Sequence, residues 1–216
     1  MIPVITALRW VPPFAQGYVR DHRVRWALEE TGRPYRVELV DRAILDSRDY
    51  RSWQPFGHVP AYRDGEVELF ESGAIVLHIA RTSETLAPVD PAGFARVSAW
   101  VIAALNSVEP FVRNVIAIDD FHASEPWAQS YRPIAEAELR RRLAALQDRL
   151  ADRDFLEDRF SAGDLMMSTV LRDIEASGLL RDYPAVSAFL TRCESRLAFQ
   201  RAIAAQIEDF RNNAPA

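Results

Sequence analysis

The stretch HVPAYRDGEVELFESGAI, residues 58–75, decides the fold. AYRD and VELF read as two short strands, and Asp64-Gly65 between them is a two-residue hairpin signal, because such turns need positive φ and glycine supplies it freely. Directly after the second run the chain turns helical, with Ile75, Val76 and Ile79 on one face. The pair Glu71-Ser72 therefore arrives at the first turn of an apolar helix, where the chain enters a core. Two polar groups at that junction call for a partner.

Working outward, residues 3–10 (PVITALRW) read as a strand rich in branched and aromatic side chains. From Gly17 to about Thr31 the pattern is helical, with Val24, Ala27, Leu28 and Thr31 spaced i, i+3, i+4, i+7, and Gly32 stops it. PYRVELV is a second strand, and residues 41–51 are loop or short helix. Strand, helix, strand, helix, strand, strand, helix over 1–82 describes a small α/β domain whose one sheet holds a parallel pair and an antiparallel hairpin. Residues 83–92, with Pro88 and Pro91 and no periodicity, read as a linker. Beyond it every periodic segment is helical, so 93–216 is expected to be an all-helical bundle. Its best-marked helix start is F-S-A-G-D-L, residues 160–165. There Ser161 and Asp164 can cap each other's amides and Phe160 can staple against Leu165.

Composition narrows the classes. Of 216 residues, 49% are hydrophobic and 26% charged, with a net charge of -5. An acidic chain without a dense basic patch does not collect phosphates, so no nucleic-acid partner is expected. All its fixed cations are arginine. The single Cys193 rules out an internal disulfide and thiolate clusters for metal, which points to a reducing compartment, the cytoplasm by default. MIPVITALRW lacks the pattern of a secretory leader, and no apolar run approaches the ~18 residues that signal a membrane span, so no membrane partner is expected. Asp119, Asp120 and His122 lack metal-ligand spacing and read as a solvated turn.

The chemistry gathers at residues 58–72. A helix start carries unbonded amides and partial positive charge, which attracts a carboxylate. Ser72 can hold that carboxylate through its hydroxyl and amide, while Glu71 accepts bonds from an ammonium group. Acid and ammonium side by side describe the α-amino-acid end of a peptide. Val59, held extended ahead of Pro60 at a bond type that tolerates cis, offers its own amide and carbonyl as an edge on which a peptide can pair. The bland alternative for Glu71-Ser72 is an ordinary helix cap preceded by a solvated acid.

Val-Pro before a hairpin, then Glu-Ser-x-Ala-Ile opening a helix, resembles the glutathione-binding half of the cytosolic glutathione transferases, bacterial members included. So do VRWALEETGRPY, residues 24–35, and the capped S-A-G-D. The resemblance implies a thioredoxin-like N-terminal domain with a mixed four-stranded sheet, followed by the helical C-terminal domain. It implies that Glu71 and Ser72 hold the γ-glutamyl end, Val59 pairs with the cysteinyl backbone, Pro60 is cis, and His58 lies near the glycyl carboxylate. His58 departs from the Lys, Gln or Arg more usual there. It further implies a homodimer, glutathione as co-substrate rather than cofactor, and no metal.

Catalysis needs a hydrogen-bond donor at the sulfur, because a free thiol titrates near ~8.5 and only the thiolate attacks. Many members of the family place Ser or Cys six residues before the Val of the first helix, and here that position is Tyr18. Arg20 or a backbone amide of residues 17–20 is the rival donor, and Tyr18 packing at a cleft edge is the bland reading. Arg20, Arg23 and Arg25 form a basic rim for an acidic substrate or a solvated helix face. Trp100, Asn106, Phe111 and Phe121 are candidates for a hydrophobic second-substrate pocket, with core packing or dimer contact as alternatives. With no cysteine near the first helix, conjugation to a small hydrophobic electrophile is expected over thiol-disulfide exchange. The alternative function is a non-catalytic binding or regulatory module on the same scaffold.

Overall fold

The computed structural model describes residues 2–215. They form two compact units: residues up to Val89 together with those from Arg196 onward, and Asp90–Ser195.

The first unit is built on a four-stranded sheet in the order β2-β1-β3-β4. Strand β1 (Val4–Leu8) pairs in parallel with β2 (Arg36–Val40), Val4 opposite Arg36 and Leu8 opposite Val40. On its other side it pairs antiparallel with β3 (Ala61–Asp64), Ile5 opposite Tyr62, and β3 continues through the Asp64-Gly65 turn into β4 (Val67–Phe70). Helix α1 (Asp21–Glu30) follows β1, and α4 (Ser72–Arg81) follows β4. Between β2 and β3 lie two short helices, α2 (Arg42–Leu45) capped by Asp41 and α3 (Arg48–Trp53) capped by Ser47. The parallel pair and antiparallel hairpin are those expected from the strand and helix order, and the whole is the thioredoxin-like arrangement that the resemblance implied.

Because β1 is central, side chains on both of its faces are buried, and alternation divides them. Thr6 and Leu8 face the cluster of Val40, Leu45, Tyr50 and Ala61. Ile5 and Ala7 point to the opposite face. Gly57, at φ 63°, passes so close to the end of α2 that a Cβ would stand 3.0 Å from the Leu45 carbonyl oxygen, so only glycine fits the loop entering β3.

In the second unit α5 (Pro91–Ala103), capped by Asp90, runs through a π-helical turn (Ala104–Val108) into α6 (Glu109–Phe121). Pro110 lacks the N–H that an α-helix would give to the Asn106 carbonyl, and the Glu109 amide reaches back five residues to Ala104 instead. Helices α7 (Pro126–Leu150), α8 (Ala162–Arg172) and α9 (Pro184–Glu194) complete the unit. Helix α8 is buried from Ala162 to Leu171, and a Cβ on Gly163 would come within 2.6 Å of Trp100 Cβ. The continuous stretch Pro91–Phe121 is long and apolar enough to meet the length test for a membrane span, against the sequence reading. Its stripe of Val97, Val101, Ala104, Val108, Val112, Val115 and Ile118 is buried in this unit.

Other elements also differ from the sequence reading. The last helix, α10 (Leu197–Asn212), expected in the bundle, packs on α1 in the first unit. Arg23 and Arg25 are neither a rim nor a solvated face: both are buried, Arg25 against α10 and Arg23 toward Ser72 at the start of α4. Arg25 is buried between Asp21 (2.7 Å) and Asp209 of α10 (2.6 Å), and Arg196 forks onto Glu30 (2.6 and 2.8 Å). Residues 83–92 are not a free linker, because Leu86 and Ala87 are buried. Finally, α1 begins at Asp21 rather than Gly17, the chain from Pro13 to Arg20 being a 3-10 turn followed by irregular turns.

Candidate functional site

The residues singled out around the hairpin meet in the first unit, at the junction of β4 and α4 and in the loop before β3. Glu71 precedes α4 with φ 67° and ψ 116°, the sole non-glycine residue at positive φ among those described. It is exposed, and its carbonyl accepts the first helical bond, from Ile75 at 3.0 Å. Holding an L-residue there costs on the order of 1–3 kcal/mol, a strain that clusters where function requires it. Ser72 is the first helical residue, not the cap as read from the sequence, and it is 4% exposed.

Sequence reasoning missed the group behind Ser72. Arg23 of α1 is buried, and its Nη1 donates to Ser72 Oγ at 3.4 Å. With that oxygen accepting from a guanidinium, the Ser72 hydroxyl proton is free to be donated outward. A buried cation, a hydroxyl and the first amides of α4 converge on one small spot, and all three favour a carboxylate. No local signal in RVRW separates a buried arginine from a solvated one; its partner lies 49 residues on.

The Val59-Pro60 peptide is cis. Around it, side chains satisfy the neighbouring backbone. Gln54 Oε1 accepts from the Phe56 and His58 amides (2.8 and 3.2 Å), Tyr50 donates its hydroxyl to the His58 carbonyl (2.7 Å), and Thr6 Oγ1 accepts from the Ala61 amide (2.8 Å). No hydrogen bond from the described residues reaches the amide or carbonyl of Val59. Its side chain packs against the Tyr50 cluster. His58 is exposed, its ring 6.5 Å from that of Phe56.

Tyr18 lies on the turn ahead of α1, 40% exposed, and its amide is committed to the Ala15 carbonyl at 3.1 Å. Arg20 is exposed on the same turn. In the second unit Trp100 is half-buried and donates to Glu157 Oε1 at 2.9 Å. Asn106 is exposed on the π turn, Phe111 carries the Arg142 guanidinium 3.6 Å above its ring, and Phe121 is exposed. Asp119 does not sit in a turn but within α6, paired in two-pronged fashion with Arg132.

A mixed four-stranded sheet with a cis-proline loop and a separate helical unit define a class, the thioredoxin-like proteins with an added helical unit. Residues 15–81 match the profile described as the glutathione S-transferase N-terminal domain, and residues 110–192 that of its C-terminal domain. The chain belongs to the glutathione S-transferase family. It is 29% identical over 201 residues to glutathione S-transferase 4 of Zea mays, spanning 87% of this chain and 86% of the maize protein. A probable glutathione S-transferase of Oryza sativa subsp. japonica is 42% identical over 65 residues, 29% of this chain and 30% of the rice protein. Among solved structures, a glutathione transferase from Burkholderia graminis with two glutathione molecules bound per subunit is similar at a TM-score of 0.81 and 25% identity, over 94% of this chain and 88% of that one.

Proposed function

We infer that this protein is a glutathione transferase that conjugates the thiolate of glutathione to a small hydrophobic electrophile. The observation that carries the reading is Glu71 at positive φ, its exposed carboxylate held beside the free amides of α4 and the Arg23-backed Ser72. In this reading Glu71 takes the γ-glutamyl ammonium, and Ser72 with the helix start takes the α-carboxylate. The cysteinyl backbone pairs with Val59 ahead of cis Pro60, and His58 lies beside the glycyl carboxylate. Trp100, Asn106 and Phe111 contribute to the electrophile site, the enzyme works as a homodimer, and glutathione is consumed as co-substrate.

Sulfur activation is assigned to the Tyr18 hydroxyl, with Arg20 or a nearby backbone amide as the rival. A donor that lowers the thiol by two units from ~8.5 raises the thiolate fraction at pH 7 from about 3% to about three quarters. Tyr18→Phe is expected to lower kcat with a chlorinated nitrobenzene by about tenfold or more, leaving glutathione affinity by calorimetry within twofold. Unchanged kcat would move the role to Arg20 or the backbone. A protein that binds glutathione but turns over no electrophile would favour the binding-module reading instead.

A further inference from the structure

Three backbone groups frame the Val59 edge, and two of them are tied to each other through side chains. The Ala61 amide donates to Thr6 Oγ1 at 2.8 Å, Thr6 Oγ1 lies 2.8 Å from Tyr50 Oη, and Tyr50 Oη lies 2.7 Å from the His58 carbonyl. The directions follow from the chemistry of the ends. A carbonyl only accepts, so the Tyr50 proton points to His58; the remaining hydroxyl proton, that of Thr6, then points to Tyr50 Oη. The chain is Ala61 N–H to Thr6 O–H to Tyr50 O–H to His58 C=O, each hydroxyl accepting from the group before it and donating to the next. Burial pushes the Tyr50 phenol up from its ordinary value, so it keeps its proton. Thr6 is fully buried in the central strand and Tyr50 nearly so.

We propose that Thr6 and Tyr50 are positioning residues for ligand binding: their two-hydroxyl relay clamps both sides of the Val59-Pro60 step and holds the Val59 amide and carbonyl in register for the cysteinyl backbone of the ligand. The clamp works because it occupies the His58 carbonyl and the Ala61 amide, while Gln54 occupies the His58 amide. The Val59 groups between them are left for a ligand. Sheet and loop are thereby joined by side chains where main-chain pairing stops, since the β1–β3 register pairs only Val4 and Ile5. The inference rests on glutathione lying along Val59, as proposed above.

The test compares glutathione with its analogue methylated on the cysteinyl amide nitrogen, which cannot donate to the Val59 carbonyl. Tyr50→Phe is expected to weaken glutathione binding about tenfold by calorimetry and to raise KM in proportion, with kcat at saturation within twofold. For the methylated analogue the same substitution is expected to change affinity less than twofold. Thr6→Val behaves like Tyr50→Phe, whereas Thr6→Ser restores wild-type affinity. In the unsubstituted protein, the Val59 amide is expected to exchange quickly with solvent and to become protected by glutathione, while Ala61 is protected throughout. Equal losses for both ligands, no loss for either, or a Val59 amide indifferent to glutathione would overturn the relay. Absence of any glutathione binding by the unsubstituted protein would instead remove the functional reading on which it stands.

Discussion

Glu71→Gly is expected to lower glutathione affinity about a hundredfold while the melting temperature holds or rises by a few degrees. The two effects separate because they have different origins. The carboxylate is exposed and engages no described residue through its side chain, so its removal costs the folded chain little. The backbone at φ 67° is a conformation that glycine adopts without the Cβ clash an L-residue suffers, and the relieved strain offsets glycine's greater freedom in the unfolded chain. Binding, by contrast, is expected to lose the charge partner that the proposed site gives the ligand's ammonium group, leaving that cation unpaired. Calorimetry and thermal melts on one preparation decide it. A variant that binds glutathione normally would remove Glu71 from the site, and a large loss of stability would mean the residue is structural.

The second large effect is on folding. Asp164→Ala is expected to cost about 3–5 kcal/mol, or roughly 10 °C in melting temperature. Loss of a helix cap alone would cost on the order of 1 kcal/mol. The sequence shows the capping box, and the structure contains it, with Asp164 Oδ2 accepting from the Ser161 amide at 2.8 Å. Oδ1 also accepts from the Leu156 amide at 2.7 Å, and Ser161 Oγ donates to Oδ2 at 2.8 Å. Truncation strands all three donors in a dry site. Burial pushes the Asp164 carboxyl up to about 6 against the pull of those bonds. A carboxyl whose folded value exceeds its unfolded one favours folding most below the unfolded value, and that contribution is lost as pH rises through about 6. The stability advantage of wild type over Asp164→Asn should therefore shrink by on the order of 2 kcal/mol between pH 4.5 and 7.5. A difference that is flat across that range, or an Ala variant that melts with wild type, would refute the account.

Local chemistry was legible; its long-range partners were not. The hairpin, α4 and the capping box could be read because Asp64-Gly65, the Ile75-Val76-Ile79 face and S-A-G-D are short-range patterns. The site was legible where its residues are consecutive, as at Val59-Pro60 and Glu71-Ser72. Arg23, Tyr50 and Thr6 escaped because their partners lie 49, 44 and 55 residues away and meet only once the sheet is assembled. One clue was present: a threonine in the middle of VITAL, a strand otherwise built to be buried, needs a hydroxyl partner. The burial of α1 was illegible for the same reason, Arg25 being matched by Asp209 of a helix that begins 167 residues after the end of α1. The π turn escaped because its cause, one missing N–H at Pro110, leaves the apolar spacing on either side intact.

The pairing of α1 with α10 also fixes when the first unit can be finished. A ribosome makes α1 before α10, with the whole of Asp90–Ser195 in between. Until α10 leaves the exit tunnel, Arg25 has Asp21 but not Asp209, and Trp26 lacks the Phe199 ring that meets it edge-on at 4.9 Å. The unit begun first is thus completed only after the helical unit encoded within it has had all its own sequence available to fold.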